Sequence, residues 1–172
     1  ASLALANVLI QKGLVVDILK SKKKNYYNLS RTLGITKANT DYFNKEIINI
    51  NNILWKINKI KIFTEKNPSK EILEFDSKNE QIFSIVKNHD LQKLLNNKLK
   101  KSKLVKFRII DNYKDVIKQK YKLIINNNPN HQISKSFFYN KIEKNYDSCA
   151  YTTIINHKRY ADNKTAFQNF TK

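Results

Sequence analysis

The sequence predicts a mainly α-helical protein, and three observations carry that expectation. Apolar residues recur at three- and four-residue intervals along much of the 172-residue chain, the period of a helix with one buried face. Glycine occurs only at Gly13 and Gly34, where ordinary usage of roughly 7% would give about twelve. That scarcity argues against folds built on repeated tight turns, such as Rossmann sheets, phosphate loops and barrels. Finally, 33 Lys and Arg face 14 Asp and Glu, a net charge of +19. The charge divides into +9 over residues 1–70, +1 over 71–101 and +9 over 102–172, two basic lobes about a near-neutral middle.

In chain order, Leu3, Ala6, Leu9, Ile10, Leu14 and Ile18 recur at helical spacing behind Ser2 as N-cap, with Gly13 interrupting the helix. Ser21 to Lys24 reads as a solvated turn. Two short helices follow at about 26–33 and 36–49, separated at Gly34. Ile60-Lys61-Ile62 and the segment from Glu71 to Asp76 alternate with period two around a turn at 64–69, so a strand hairpin is expected at about 56–76. Ser77 with Glu80 forms a capping box that predicts a helix to about Lys87. Asp90 caps another that carries Leu91, Leu94, Leu95 and Leu99. A long helix from about Lys103 to Asn127, stopped before Pro129, precedes helices at about 131–144, 150–161 and 163–170. The expected domains are 1–76, a helical connector over 77–101, and a second basic helical module over 102–172.

Composition bounds the function classes. The hydrophobic fraction is 41%, with nine Phe and nine Tyr, enough for a packed core. A single cysteine, Cys149, excludes an internal disulfide framework and fits a reducing, cytoplasmic compartment. His89, His131 and His157 have no Cys or carboxylate at ligand spacing, so no metal site and no cofactor are expected. The apolar stretch from Leu3 to Leu19 is too short for a bilayer and is broken by Asn7, Gln11, Lys12 and Asp17; no membrane partner is expected. It lacks a basic leader, so it does not read as a signal peptide. Met is absent and the chain opens Ala1-Ser2, which predicts a fragment or processed chain. Asn, Lys and Ile fill 76 positions, so an AT-rich coding background competes with selection as the source of the basicity.

The stretch Leu29-Ser30-Arg31-Thr32-Leu33-Gly34-Ile35-Thr36-Lys37-Ala38-Asn39-Thr40-Asp41-Tyr42-Phe43-Asn44-Lys45-Glu46-Ile47 resembles the bacterial helix-turn-helix and winged-helix DNA-binding proteins. Leu29 and Leu33 would give a first helix its apolar face, and Gly34 would supply the positive φ that leaves it. Ile35 would plug the corner, and Thr36 would cap a second helix whose inward face is Thr40, Phe43 and Ile47. A valine or similar residue is usual at the Thr40 position. In that family the second helix enters the major groove. The resemblance therefore implies base contacts by Thr36, Lys37, Asn39 and Tyr42, and phosphate contacts by Lys45 and Arg31. The hairpin at 56–76 would be a wing, bringing Lys59, Lys61, Lys66 and Lys70 near a backbone. The competing structural reading is an ordinary helical hairpin with a glycine corner.

A second stretch, His131-Gln132-Ile133-Ser134-Lys135-Ser136-Phe137-Phe138-Tyr139-Asn140-Lys141-Ile142, continues through Tyr146 to Ala150-Tyr151-Thr152-Thr153-Ile154-Ile155-Asn156-His157-Lys158-Arg159-Tyr160. With the long basic helix before it, this order resembles the C-terminal DNA-binding domain of the bacterial replication initiator. That family's second helix opens Asp-His-Thr-Thr-Val; here Thr152, Thr153 and Ile154 match, while Ala150 and Tyr151 replace the Asp and His. The resemblance implies base or phosphate contacts by Thr152 and Thr153, and backbone contacts by Lys158 and Arg159. A plain three-helix subdomain is the alternative.

Catalysis is not expected. Glu71, Glu74 and Asp76 cluster, but no Lys or His stands at nuclease spacing, and an acidic edge that keeps a strand soluble explains them. Cys149 reads as a buried small hydrophobe rather than a nucleophile. The sequence thus predicts a non-enzymatic double-stranded DNA-binding protein of a bacterium or mobile element, in replication initiation or transcription control. RNA is the alternative partner. A structural protein with codon-biased basicity is the third reading.

Overall fold

The computed structural model describes residues 1–20, 29–66, 70–78, 80–110, 112–119, 121–138, 140, 142–156, 158 and 163–171. It overturns the mainly α expectation: the protein is mixed α/β, 33% helical and 27% strand, with eight strands in three sheets among the described residues. In chain order the elements are α1 (Ser2–Gln11), β1 (Val16–Lys20), β2 (Thr32–Thr36), α2 (Lys37–Tyr42), β3 (Leu54–Ile57), β4 (Lys59–Thr64), β5 (Leu73–Asp76), β6 (Phe83–Lys87), α3 (Asn88–Lys100), β7 (Val105–Ile109), α4 (Tyr113–Lys118), α5 (Gln132–Phe137) and β8 (Thr165–Phe170). A π turn, Phe43–Ile47, continues α2, and a 3-10 turn, Asn51–Ile53, precedes β3. The chain divides into two compact units: Ala1–Tyr27 with Leu94–Tyr151, and Asn28–Lys93 with Thr152–Lys172.

In the first unit, the helix expected to run behind a Ser2 cap through Gly13 to Ile18 has Ala1 as its N-cap and ends at Gln11, and Ile18 lies on strand β1. Gly13 has φ +76, its N–H donates to the Ile10 carbonyl at 3.0 Å, and Leu14 N–H reaches back to Leu9 O at 3.1 Å. This pair of bonds closes the last helical turn, and only glycine adopts the required φ without strain. The chain then extends as β1, parallel to β7 with Val16 opposite Val105 and Lys20 opposite Ile109. Of the predicted helix over 103–127, only Tyr113–Lys118 (α4) is helical among the described residues. The apolar residues Val105, Phe107 and Ile109 alternate, and the β-branched run suits a strand once β1 supplies a partner. Ala6, Leu95, Leu99 and Val116 are the buried apolar residues here. Asn7, fully buried, ties α1 to α3 by donating from Nδ2 to Leu3 O at 2.8 Å and Leu95 O at 3.4 Å.

The second unit contains two three-stranded sheets, in the orders β2-β6-β3 and β5-β4-β8. They are joined by the chain itself, since Asn58 alone separates β3 from β4. Its carbonyl accepts from Ser77 N at 3.1 Å and Ser77 Oγ at 3.0 Å, and its N–H donates to Lys164 O at 3.0 Å. Ile35, Ile47, Ile50, Ile57, Val86 and Leu91 are buried, with Thr40 and Ser84 among them.

The expected helix-turn-helix is replaced here by a strand followed by a helix. Residues 29–30 form a turn and Thr32–Thr36 pair antiparallel with β6, Thr32 opposite Lys87 and Thr36 opposite Phe83; residues 26–28 lie outside the described residues. Gly34 has no positive φ. It is an ordinary strand residue whose neighbours Thr32, Leu33, Ile35 and Thr36 fit a pleated surface better than a helix. The capping-box helix to Lys87 is likewise strand β6: Ser84 and Val86 point to one face and are buried, a period of two rather than 3.6. Residues 142–156 hold no helix, and the expected helix at 163–170 is strand β8, parallel to β4 with Lys59 opposite Thr165. Among the described residues the second expected helical module is therefore reduced to two six-residue helices, α4 and α5. Within the span read as a hairpin, β4 and β5 do pair antiparallel, Lys59 opposite Asp76 and Ile62 opposite Leu73. The helix with Leu91, Leu95 and Leu99 on its buried stripe is α3.

Candidate nucleic-acid interface

Five of the residues singled out from sequence gather on one short helical segment, 37–47, with its cap. Thr36 has an extended backbone and caps α2: its Oγ1 accepts from Asn39 N at 3.3 Å. Thr40, one turn on, donates to Thr36 O at 3.1 Å and accepts from Gln81 Nε2 at 3.2 Å. Thr40 is 3% exposed and Ile47 5%, so these two mount the segment while Lys37, Asn39, Tyr42 and Lys45 stand exposed. Threonine suits the buried position because its hydroxyl has two partners. Lys37 lies 3.5 Å from Asp41 and Lys45 3.5 Å from Glu46, pairs with both members well exposed. Such contacts hold a cation weakly and yield to a better anion. Arg31 is exposed just before β2, and the five-residue strand separates it from Thr36 by roughly 16 Å; the structure does not bring it to the helix.

The residues of the second stretch have no shared element. Thr152 and Thr153 are exposed within a segment that is neither helix nor strand, Lys158 is exposed, and Arg159 lies outside the described residues; Cys149, expected to be buried, is exposed as well.

Two of the four hairpin lysines are committed elsewhere. Lys59 Nζ sits 2.7 Å from Asp76 and 3.1 Å from Glu74. Lys61 Nζ sits 3.1 Å from Glu74 and 3.2 Å from Glu71. Hydrogen bonds donated to Asp76 and then Glu74 hold the Lys59 ammonium above its ordinary range, and those donated to Glu74 and Glu71 do the same for Lys61. The same bonds hold Glu74 and Asp76 below the usual carboxylate range. Antiparallel pairing brings Lys59 and Lys61 to Glu74 and Asp76, because opposite residues of β4 and β5 share a face. The cluster is a charge ladder across two strands. Among the described residues no group of three or more His, Cys, Asp or Glu is placed to hold a metal. Lys66 and Lys70 are exposed.

Sequence reasoning missed the densest basic feature. Residues 98–108 hold Lys98, Lys100, Lys101, Lys103, Lys106 and Arg108 with no acidic residue, running from the last turn of α3 through a tight turn into β7. A charge window ending at 101 cut this run in two; a sliding eleven-residue window finds it. The first unit carries 18 basic and 5 acidic residues, +13, and the second 15 and 9, +6. Arg108 is spent internally: its Nε lies 2.8 Å from Asp17 Oδ2, whose side chain is only 9% exposed. Tyr121 OH donates to the same oxygen at 2.7 Å. Burial, and then the Asp17 carboxylate, push the Tyr121 hydroxyl above its ordinary pKa.

No protein-family model matches this chain, and no curated protein matches it. No helix among the described residues is long and apolar enough to cross a membrane.

Proposed function

We propose that the protein is a non-enzymatic double-stranded DNA-binding protein acting in replication initiation or transcription control. One observation carries the reading: a helical segment held from behind by Thr40 and Ile47 presents Lys37, Asn39, Tyr42 and Lys45 outward. A major groove about 12 Å wide admits such a segment. Asn39 has the donor and acceptor that adenine offers bidentately, and Lys37 the donors that suit guanine. Thr36 and Tyr42 complete the base-facing set, and Lys45 and Arg31 contact phosphate. Thr152 and Thr153 serve as further base or phosphate contacts, and Lys158 and Arg159 as backbone contacts. The +19 charge supports the reading, because each cation that neutralises a phosphate releases a counterion.

Selection of duplexes from a random pool, with structured RNA as competitor, tests it. The expected result is an enriched duplex whose binding collapses when Lys37→Ala and Asn39→Ala are combined, with far-UV circular dichroism unchanged. Tighter binding to the RNA than to any duplex overturns the proposal in favour of an RNA-binding protein. Binding to neither at about 150 mM salt assigns the basicity to coding bias, since the phosphate contribution supplies most non-specific affinity.

A further inference from the structure

We infer that the turn joining α3 to β7 is a phosphate-backbone anchor for duplex DNA, built from Lys100, Lys101, Lys103 and Lys106. The inference rests on the DNA-binding reading and adds to it a contact surface in the other unit. All four side chains are exposed, and none has an acidic partner among the described residues. They stand on a fixed scaffold. Lys101 N donates to Lys98 O at 3.2 Å and Ser102 N to Leu99 O at 3.1 Å. Ser102 Oγ accepts from Leu104 N at 3.2 Å, and Leu104 O accepts from Val16 N at 2.9 Å. Leu99, fully buried, anchors the turn from below. A backbone already ordered by these bonds spares a ligand most of the cost of ordering it.

Compensation of the α3 dipole accounts for cations in its last turn, Lys98 and Lys100. It does not account for Lys103 and Lys106, which lie past the helix. Six cations within eleven residues repel one another, and a polyanion relieves that repulsion. The dense charge of a duplex backbone fits four exposed lysines gathered on one hydrogen-bonded turn. An anionic membrane fits less well. Leu14, Val15 and Ile109 are exposed on or beside the paired strands, but the exposed face of α3 that leads into the turn carries Lys93, Asn97 and Lys100 rather than the apolar side chains that interfacial binding needs.

The test compares two charge-matched variants of the full chain. In the first, Lys100, Lys101, Lys103 and Lys106 all become Gln; in the second, Lys56, Lys78, Lys87 and Lys93 do. Affinity for a random-sequence duplex is measured across salt concentrations, with unfolding midpoints as the control for folding. The expected result is that the first variant lowers the salt slope by about 3.6, at roughly 0.9 per phosphate contact, and weakens binding at least about tenfold. The second is expected to change the slope by less than about one. Equal changes in both variants overturn the anchor and leave only net charge. Tighter binding of the unaltered protein to phosphatidylserine–phosphatidylcholine vesicles than to duplex, at equal salt, overturns it in favour of a membrane surface. If the unaltered protein binds duplex with a slope that the first variant preserves, the anchor alone fails. If it binds no duplex, the anchor fails together with the DNA-binding reading.

Discussion

The two units hold their basic residues in opposite ways. In the second, Lys59 and Lys61 face Glu71, Glu74 and Asp76 across paired strands, and Lys37 and Lys45 each have a carboxylate at 3.5 Å. In the first, Arg108 is paired with Asp17, while Lys100, Lys101, Lys103 and Lys106 have no acidic partner among the described residues. Net charge and available charge are therefore different quantities. The two lysines of the helical segment each lie near a carboxylate, whereas the first unit gathers six cations within residues 98–108. A division of labour between shape and charge suits a ligand that is both a groove and a polyanion.

The largest change expected from breaking this arrangement lies under the basic turn. Leu99→Ala removes a fully buried side chain and is expected to cost about 3 kcal/mol, mostly as cavity. Denaturant unfolding measures the total, and hydrogen exchange locates it in the first unit; a loss below about 1 kcal/mol refutes Leu99 as the anchor of the turn.

Asp17→Asn sharpens the contrast next. It removes the carboxylate shared by Arg108 and Tyr121 and is expected to destabilise by about 1–2 kcal/mol. The same change frees the Arg108 guanidinium, so duplex affinity should rise while stability falls. Parallel unfolding and binding titrations distinguish this from simple damage, in which both fall together.

The two glycines come third, one in each unit. At Gly13, with φ +76, alanine is strained and should cost about 1 kcal/mol. At Gly34 an added Cβ meets only the Phe83 ring, at 3.9 Å, so alanine should change stability by less than about 0.5 kcal/mol. A large loss at Gly34 would favour a positive-φ corner over a strand.

The smallest effects are those of pH and salt. Glu74 and Asp76 titrate below the usual carboxylate range when folded, so the ladder's contribution is present at neutral pH. It is lost as pH falls through about 4 and below. Lys59 and Lys61 titrate above theirs, so the contribution persists until pH rises past the ordinary ammonium range. Added salt should weaken the ladder but stabilise the first unit by screening its unpaired lysines. Residue-resolved hydrogen exchange at two ionic strengths would show opposite signs in the two units; a uniform shift would remove the distinction.

Legibility from sequence followed the range of the interactions. The leucine stripe of α3, the Thr36 cap and the stop at Gly13 are written within a few residues, because helical bonds join a residue to its fourth neighbour. The β4–β5 pairing was also readable, since the two strands are joined by a short connection. The exposed set on 37–47 was nominated residue by residue, although the first helix expected to support it is β2. The basic turn was hidden by the choice of window, not by any lack of local signal. The commitment of Lys59 and Lys61 was hidden for a different reason: the strand that brings Glu74 and Asp76 opposite them is visible only in the pairing register.

The sequence by itself determined the net charge, the scarcity of glycine turns, the break at Gly13, the Thr36 cap of α2 and the apolar face of α3. Each depends on composition or on neighbours within one helical turn. Only the tertiary structure decided that 32–36, 83–87, 105–109 and 165–170 are strands. A strand finds its hydrogen bonds on another segment, and here Val16 meets Val105 and Lys59 meets Thr165. Short apolar runs that fit both periods resolve toward strand when such a partner is in place, because the paired backbone groups and the buried face are gained together.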